Sequence, residues 1–169
     1  MMDNTQRMIA LLGRVRKEMN GAVSEGMAND GENYGLNYGV SIATLREIAA
    51  TEQPDHDFAK YLYQQQVREL RLAACHVADP KMVDTHEFPF WARGINNAEL
   101  AEELAFALLS KIYDINSLMG VWCTESSEMV AYAALMAASR NERTLTEVAF
   151  IAVENAIRAN PESRYIAEG

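Results

Sequence analysis

In YGVSIATLR (Tyr38–Arg46) a turn glycine leads into a serine-capped helix, and LYQQQVRELRLAA (Leu62–Ala74) closes one helix and opens another rich in alanine. The second stretch returns downstream. Leu62, Tyr63, Glu69, Leu70 and Leu72 are echoed by Val121, Trp122, Glu128, Met129 and Ala131, each 59 residues later. A helical pattern that comes back at a constant offset implies stacked helix pairs, and such a stack presents one long surface that carries function.

Helix signals fill the rest of the chain. Asp3 can cap Thr5–Met19, where Met8, Ile9, Leu12, Val15 and Met19 share one stripe. Asn20–Gly39 holds five of the nine glycines, at 21, 26, 31, 35 and 39, and reads as a partial helix around Ala22–Met27 followed by a loop. Further helices are expected from Ser41, from Asp55 or Asp57 to about Gln66, over Arg68–Ala78, Thr85–Arg93, Asn96–Ile112, Ile115–Trp122, Ser126–Ser139 and Thr144–Ala159. All four prolines fall at expected boundaries, with Pro89 in a first turn, where its missing N–H costs nothing. A second echo sets Phe58, Ala59 and Leu62 against Leu100, Ala101 and Leu104 at an offset of 42, inside the ~40–47-residue spacing of HEAT-type repeats. The expected fold is all-α: a right-handed α-α superhelix of HEAT-like repeats with about eight or nine helices, in one domain spanning 1–169.

Composition bounds the function. Apolar residues make up 49% of 169, enough for a packed core rather than a disordered chain. No apolar run reaches the ~18–20 residues of a membrane span, and MMDNTQR lacks the apolar centre of a signal peptide. Cys75 and Cys123 fit no metal-ligand spacing, so a reduced, cytoplasmic protein is expected. Net charge is −9, which argues against nucleic acid unless the 15 Lys and Arg gather on one face. The most basic element is the first helix, with Arg7, Arg14, Arg16 and Lys17; Arg68, Arg71, Arg93, Arg140 and Arg143 are the other candidates for a positive groove.

Four stretches carry a resemblance: YGVSIATLREIA (Tyr38–Ala49), AKYLYQQQVRELRLAA (Ala59–Ala74), WARGINN (Trp91–Asn97) and VWCTESSEMVAYAAL (Val121–Leu135). Over roughly residues 20–155 the chain resembles the DNA alkylation repair family, alkylpurine DNA glycosylases built from HEAT-like repeats. The resemblance implies a concave basic surface holding duplex DNA, a carboxylate four residues after a tryptophan, an arginine on a later repeat, and aromatic rings near the lesion. Carried over, the tryptophan is Trp91 and the acid position is Ile95, which has no carboxylate. The arginine falls at Ala131 or Tyr132, and neither is cationic. Losing one charge that stabilises the transition state can cost several kcal/mol of barrier, with each ~1.36 kcal/mol a tenfold rate loss. The resemblance therefore implies a scaffold without the glycosylase activity, although Glu87 and Glu99 flank the site. A carboxylate beside the Trp91 indole with an arginine opposite is the arrangement that contradicts this.

The candidate DNA contacts are Trp91, Arg93, Asn96, Tyr132 and Arg140; Gly39, Arg46, Glu69 and Arg71 form a structural motif of the family. Against these stand blander roles. FPFW (Phe88–Trp91) more often closes a gap between short helices than stacks a base, and Glu69 with Arg71 more often braces neighbouring turns. His56, His76 and His86 lack ligand spacing, and the glycines at 31, 35 and 39 lack the Lys-Ser of a phosphate loop. No cofactor or metal is expected. The partner is duplex DNA or, in the alternative, a protein bound by a helical-repeat scaffold with an acidic surface; an active glycosylase is the third reading.

Overall fold

The computed structural model describes residues 1–30 and 34–168. Gly31, part of the loop expected after Met27, lies outside the described residues. The fold is all-α. The described residues form eleven α-helices, two 3-10 turns (Pro80–Met82 and Leu109–Lys111) and a lone bridge between Leu36 and Val67. Packing divides the chain into two compact units, the first Met1–Asp79 and the second beginning at Pro80.

The first unit holds α1 (Asn4–Lys17), α2 (Gly21–Asn29), α3 (Ile42–Ala50), α4 (His56–Tyr63) and α5 (Arg68–Val77). Side chains cap four of them: Asp3 for α1, Asn20 for α2, Ser41 for α3 and Asp55 for α4. Helix α2 runs past both ends of the expected Ala22–Met27, and Asn20 explains its earlier start: its side chain takes the N–H of Val23 at 3.2 Å. Helix α5 is the centre of the unit, buried on every side except at His76, with α3 and α4 packed against it. Its alanines, Ala73 and Ala74, are fully buried and permit close approach of neighbouring axes.

The second unit holds α6 (Phe88–Gly94), α7 (Ala98–Ala107), α8 (Ile115–Trp122), α9 (Glu128–Arg140), α10 (Glu147–Ala159) and the short α11 (Arg164–Glu168). Here α9 is central, contacting α7, α8 and α11, and alanines again make up much of what it buries: Ala131, Ala133, Ala134 and Ala137, beside Val130, Tyr132 and Leu135. The helix expected over Thr85–Arg93 starts only at Phe88, and the one expected through Ile112 breaks after Ala107 into a 3-10 turn. The count exceeds the expected eight or nine because α2 and α11 form as separate helices.

The 59-residue echo is real at the level of helix ends. Shifting α4 by 59 gives the bounds of α8, and the capping residues Asp55 and Asp114 correspond too. Tyr63 and Trp122, at matching positions, are both core residues. The offset of 42 is a different matter. It overlays α4, which packs on α5, onto α7, which packs on α9 as α3 does on α5. The spacing that the elements obey is shorter: α5, α7 and α9 begin at Arg68, Ala98 and Glu128, thirty residues apart each time. The 59-residue echo therefore spans two helix pairs, and 42 is not the period.

Candidate nucleic-acid interface

The loop Tyr34–Val40 is held by a buried carboxylate. Glu69, wholly inaccessible at the start of α5, accepts the N–H of Tyr38 (3.1 Å) and of Val40 (3.2 Å). Arg68 closes the cluster, donating to Glu69 at 3.0 Å and to the carbonyl of Val40 at 2.7 Å. Two N–H groups can converge on one carboxylate because Gly39 between them has φ of +72°, a region that L side chains rarely adopt. Arg71, also buried, donates to the carbonyl of Gln65 at 2.8 Å and so closes the α4–α5 turn. Arg46 lies exposed on α3. Glu69 and Arg71 are thus parts of the frame, engaged in bracing loops.

The basic first helix is largely neutralised within its own unit. Arg7 pairs with Asp55 at 2.6 Å and approaches Glu52, with its guanidinium 3.8 Å from the centre of the Phe58 ring. The N–H of Phe58 and the bond from Arg7 hold the Asp55 carboxyl below its ordinary value. Arg14 pairs with Glu52 and bonds Thr51. Arg16 lies over the ring of Tyr38.

Two of the five candidate contacts are not on the surface. Trp91 is fully buried, with its N–H bonded to Glu87 at 3.2 Å and Phe90 edge-on at 5.1 Å; Phe88 packs edge-on against Trp122 at 6.3 Å. Phe88 and Trp91 of FPFW are therefore core, and Trp91 offers no free face to a base. The reason lies in α6, a seven-residue helix that can bury itself only through large side chains. Tyr132 is likewise buried on α9, its hydroxyl 2.8 Å from Glu102 and its ring 5.2 Å from that of Tyr165. Arg93, Asn96 and Arg140 are exposed. Ile95, at the end of α6, is buried.

Arg140 opens onto a feature that the sequence reading did not assemble. An open cleft of about 1000 Å³ in the second unit is lined by Lys81, Phe106, Ser110, Lys111, Ile112, Tyr113, Arg140, Asn141, Glu142 and Arg143. Four cations thus face one carboxylate, in a chain whose net charge is −9. Among the described residues, Lys111, Arg140 and Arg143 have no carboxylate partner. Asn141 builds the floor by donating to the carbonyls of Ser110 (3.0 Å) and Ile112 (3.1 Å), which ties the end of α9 to the turn after α7. It also accepts the N–H of Arg143 at 2.8 Å. Arg143 lies 3.9 Å above the centre of the Tyr113 ring, and Tyr113 is 76% exposed. Placing Lys111 and Arg140 at helix ends has an ordinary explanation, since cations complement terminal carbonyls. That explanation does not reach Arg143 or Tyr113, which lie outside the helices.

Elsewhere the chemistry is quiet. Burial pushes the Cys123 thiol up to about 11, leaving no thiolate near neutral pH. His56 accepts the N–H of Asp79 at 3.2 Å. Among the described residues no cluster of three His, Cys, Asp or Glu could hold a metal ion, and no helix is long and apolar enough to cross a membrane.

A family model described as DNA alkylation repair enzyme matches residues 13–161. The chain belongs to the DNA alkylation repair family. The match extends over nearly the whole of both units, from within α1 to the end of α10. Neither a curated protein nor a solved structure shows a significant match to the chain. Seen as a DNA alkylation repair family member, the chain has one notable arrangement near α6, Glu87 against Trp91. A carboxylate does lie beside the Trp91 indole, that of Glu87, one turn earlier on the same segment. It accepts the indole N–H, the partner that a buried tryptophan requires. Of the lining, sequence reasoning found only Arg140 and Arg143 and missed Lys81, Lys111, Tyr113 and Asn141 among others. Their signal was the thirty-residue step, because Lys81, Lys111 and Asn141 fall at that spacing on the same cleft.

Proposed function

We propose that this DNA alkylation repair family member associates with DNA without excising alkylated bases. The cleft of the second unit supports the association. Its lining carries four cations and one carboxylate while the chain as a whole is acidic, and clustered Lys and Arg are what phosphate oxygens recognise. A duplex lying across the cleft would meet Lys111, Arg140 and Arg143 first.

Loss of excision is supported by the positions carried over from the family. Ile95 is apolar and buried at the acid position, while Ala131 and Tyr132 stand where the arginine belongs. The Tyr132 hydroxyl is committed to Glu102. Those positions supply no charge to stabilise the positive charge that develops on a sugar as its base departs. The Glu87 carboxylate is engaged by the indole N–H of a fully buried tryptophan. The expected result with methylated duplex DNA is release of 7-methylguanine no faster than from DNA alone, followed by chromatography. Protein-dependent release, lost on Glu87→Gln, contradicts the reading.

A partner protein is the second reading, favoured by α10, where Val148, Phe150, Ile151 and Ile157 are exposed by 72%, 55%, 49% and 47%. Failure to bind duplex DNA at low salt would shift the balance to it.

A further inference from the structure

Electrostatics alone accounts for phosphate binding in the cleft, but not for what Tyr113 and Arg143 do there. Tyr113 is among the most exposed large side chains of the protein, and it has no packing role that explains its place. One ring face carries the Arg143 guanidinium at 3.9 Å from the centroid. With 76% of the residue exposed, most of the rest of the ring is open to solvent, and Tyr113 lines the cleft. Asn141 fixes the backbone beside both members of the pair, donating to the carbonyl of Ile112, next to Tyr113, and accepting the N–H of Arg143. Lys111 and Arg140 line the same cleft as Tyr113.

A flat π-face held beside a group of cations matches one chemical unit, a nucleobase joined through its sugar to a phosphate. In intact duplex DNA the base faces are stacked on each other and only the phosphates are available. The cations serve both forms, whereas the ring serves only an unpaired base. Arg143, already lying on the ring, adds a guanidinium that can hold a phosphate or stay behind the ring as a cation–π brace.

We infer that the cleft takes an unpaired nucleotide, its phosphate against Lys111, Arg140 and Arg143 and its base on the exposed ring of Tyr113. The protein therefore prefers single-stranded or locally opened DNA to intact duplex. This rests on reading the cleft as a DNA site.

Fluorescence anisotropy at low salt tests it, with a labelled oligothymidylate of about 15 nucleotides and a duplex of the same length. Wild type binds the single strand more tightly than the duplex. Tyr113→Ala weakens the single strand about tenfold and the duplex less than about twofold, while Tyr113→Phe binds both as wild type does. The substitution removes an exposed ring, so the thermal midpoint stays unchanged. Equal losses on both DNAs, or none on the single strand, overturn the inference. So does wild type binding only the duplex, although the broader DNA reading then survives. Binding of neither DNA overturns both.

Discussion

Gly39→Ala lowers the thermal midpoint of the protein by about 10 °C or more, followed by circular dichroism at 222 nm. A Cβ built on Gly39 falls 2.0 Å from the carbonyl oxygen of Asn20 and 2.9 Å from the N–H nitrogen of Ser24. Both are backbone atoms of the cap and first turn of α2, so no rotamer change can relieve the overlap. The loop has to lift, and lifting it breaks the bond from the Asn20 N–H to the carbonyl of Tyr38 (2.8 Å) and pulls Tyr38 and Val40 off Glu69. The left-handed backbone at φ +72° adds about 1–2 kcal/mol for any side chain. Gly13→Ala is the control. Gly13 is inside α1 with nothing within 4 Å of its Cβ, so alanine there stabilises by up to about 1 kcal/mol. A Gly39→Ala variant as stable as wild type would mean that the loop is not clamped as described.

Glu69→Ala is the second large effect, a loss of about 3–5 kcal/mol in chemical denaturation. The carboxylate is wholly buried, and removing it strands two N–H groups and takes a counter-charge 3.0 Å away from the guanidinium of Arg68, whose side chain is itself 3% exposed. Breaking one partner of a buried pair costs more than the pair contributes, because the remaining charge stays in a low dielectric. Glu69→Gln keeps one oxygen acceptor but sets an NH2 against a donor, so its loss falls between alanine and wild type. A cost under about 1 kcal/mol for Glu69→Ala would show that the loop finds other partners.

These two residues also show how far a sequence of this kind can be read. Local chemistry was legible. Gly39 before Ser41 announces a turn and a cap, Asp55 starts a helix, and the bounds of α4 return in α8 59 residues later. The 59-residue echo survives in the bounds of α4 and α8 and in their buried aromatics, Tyr63 and Trp122, but not at Leu62, which is buried where Val121 is exposed. What was not legible depends on tertiary geometry. Trp91 reads as a platform or as core from sequence alone, and only the packing of the short α6 makes it core. Arg7 and Arg14 look like a basic face until Glu52 and Asp55, more than thirty residues away, are brought against them. The cleft is the clearest case. Lys111 and Tyr113 follow α7, Arg140 and Arg143 follow from α9, and the two groups meet because α7 packs on α9 and Asn141 ties their ends. No local pattern marks that meeting; a search at a period of thirty rather than 42 would have pointed to Lys81 and Lys111 together.

The proposal that this family member holds DNA through the second unit is tested most directly by duplex affinity against salt concentration. Wild type is compared with the double variant Lys111→Gln/Arg140→Gln. With Lys111, Arg140 and Arg143 each meeting a phosphate, the slope of log affinity on log salt is about −3, falling to about −1 in the variant. Affinity that ignores salt, or a variant that binds as tightly and with the same slope as wild type, would contradict it.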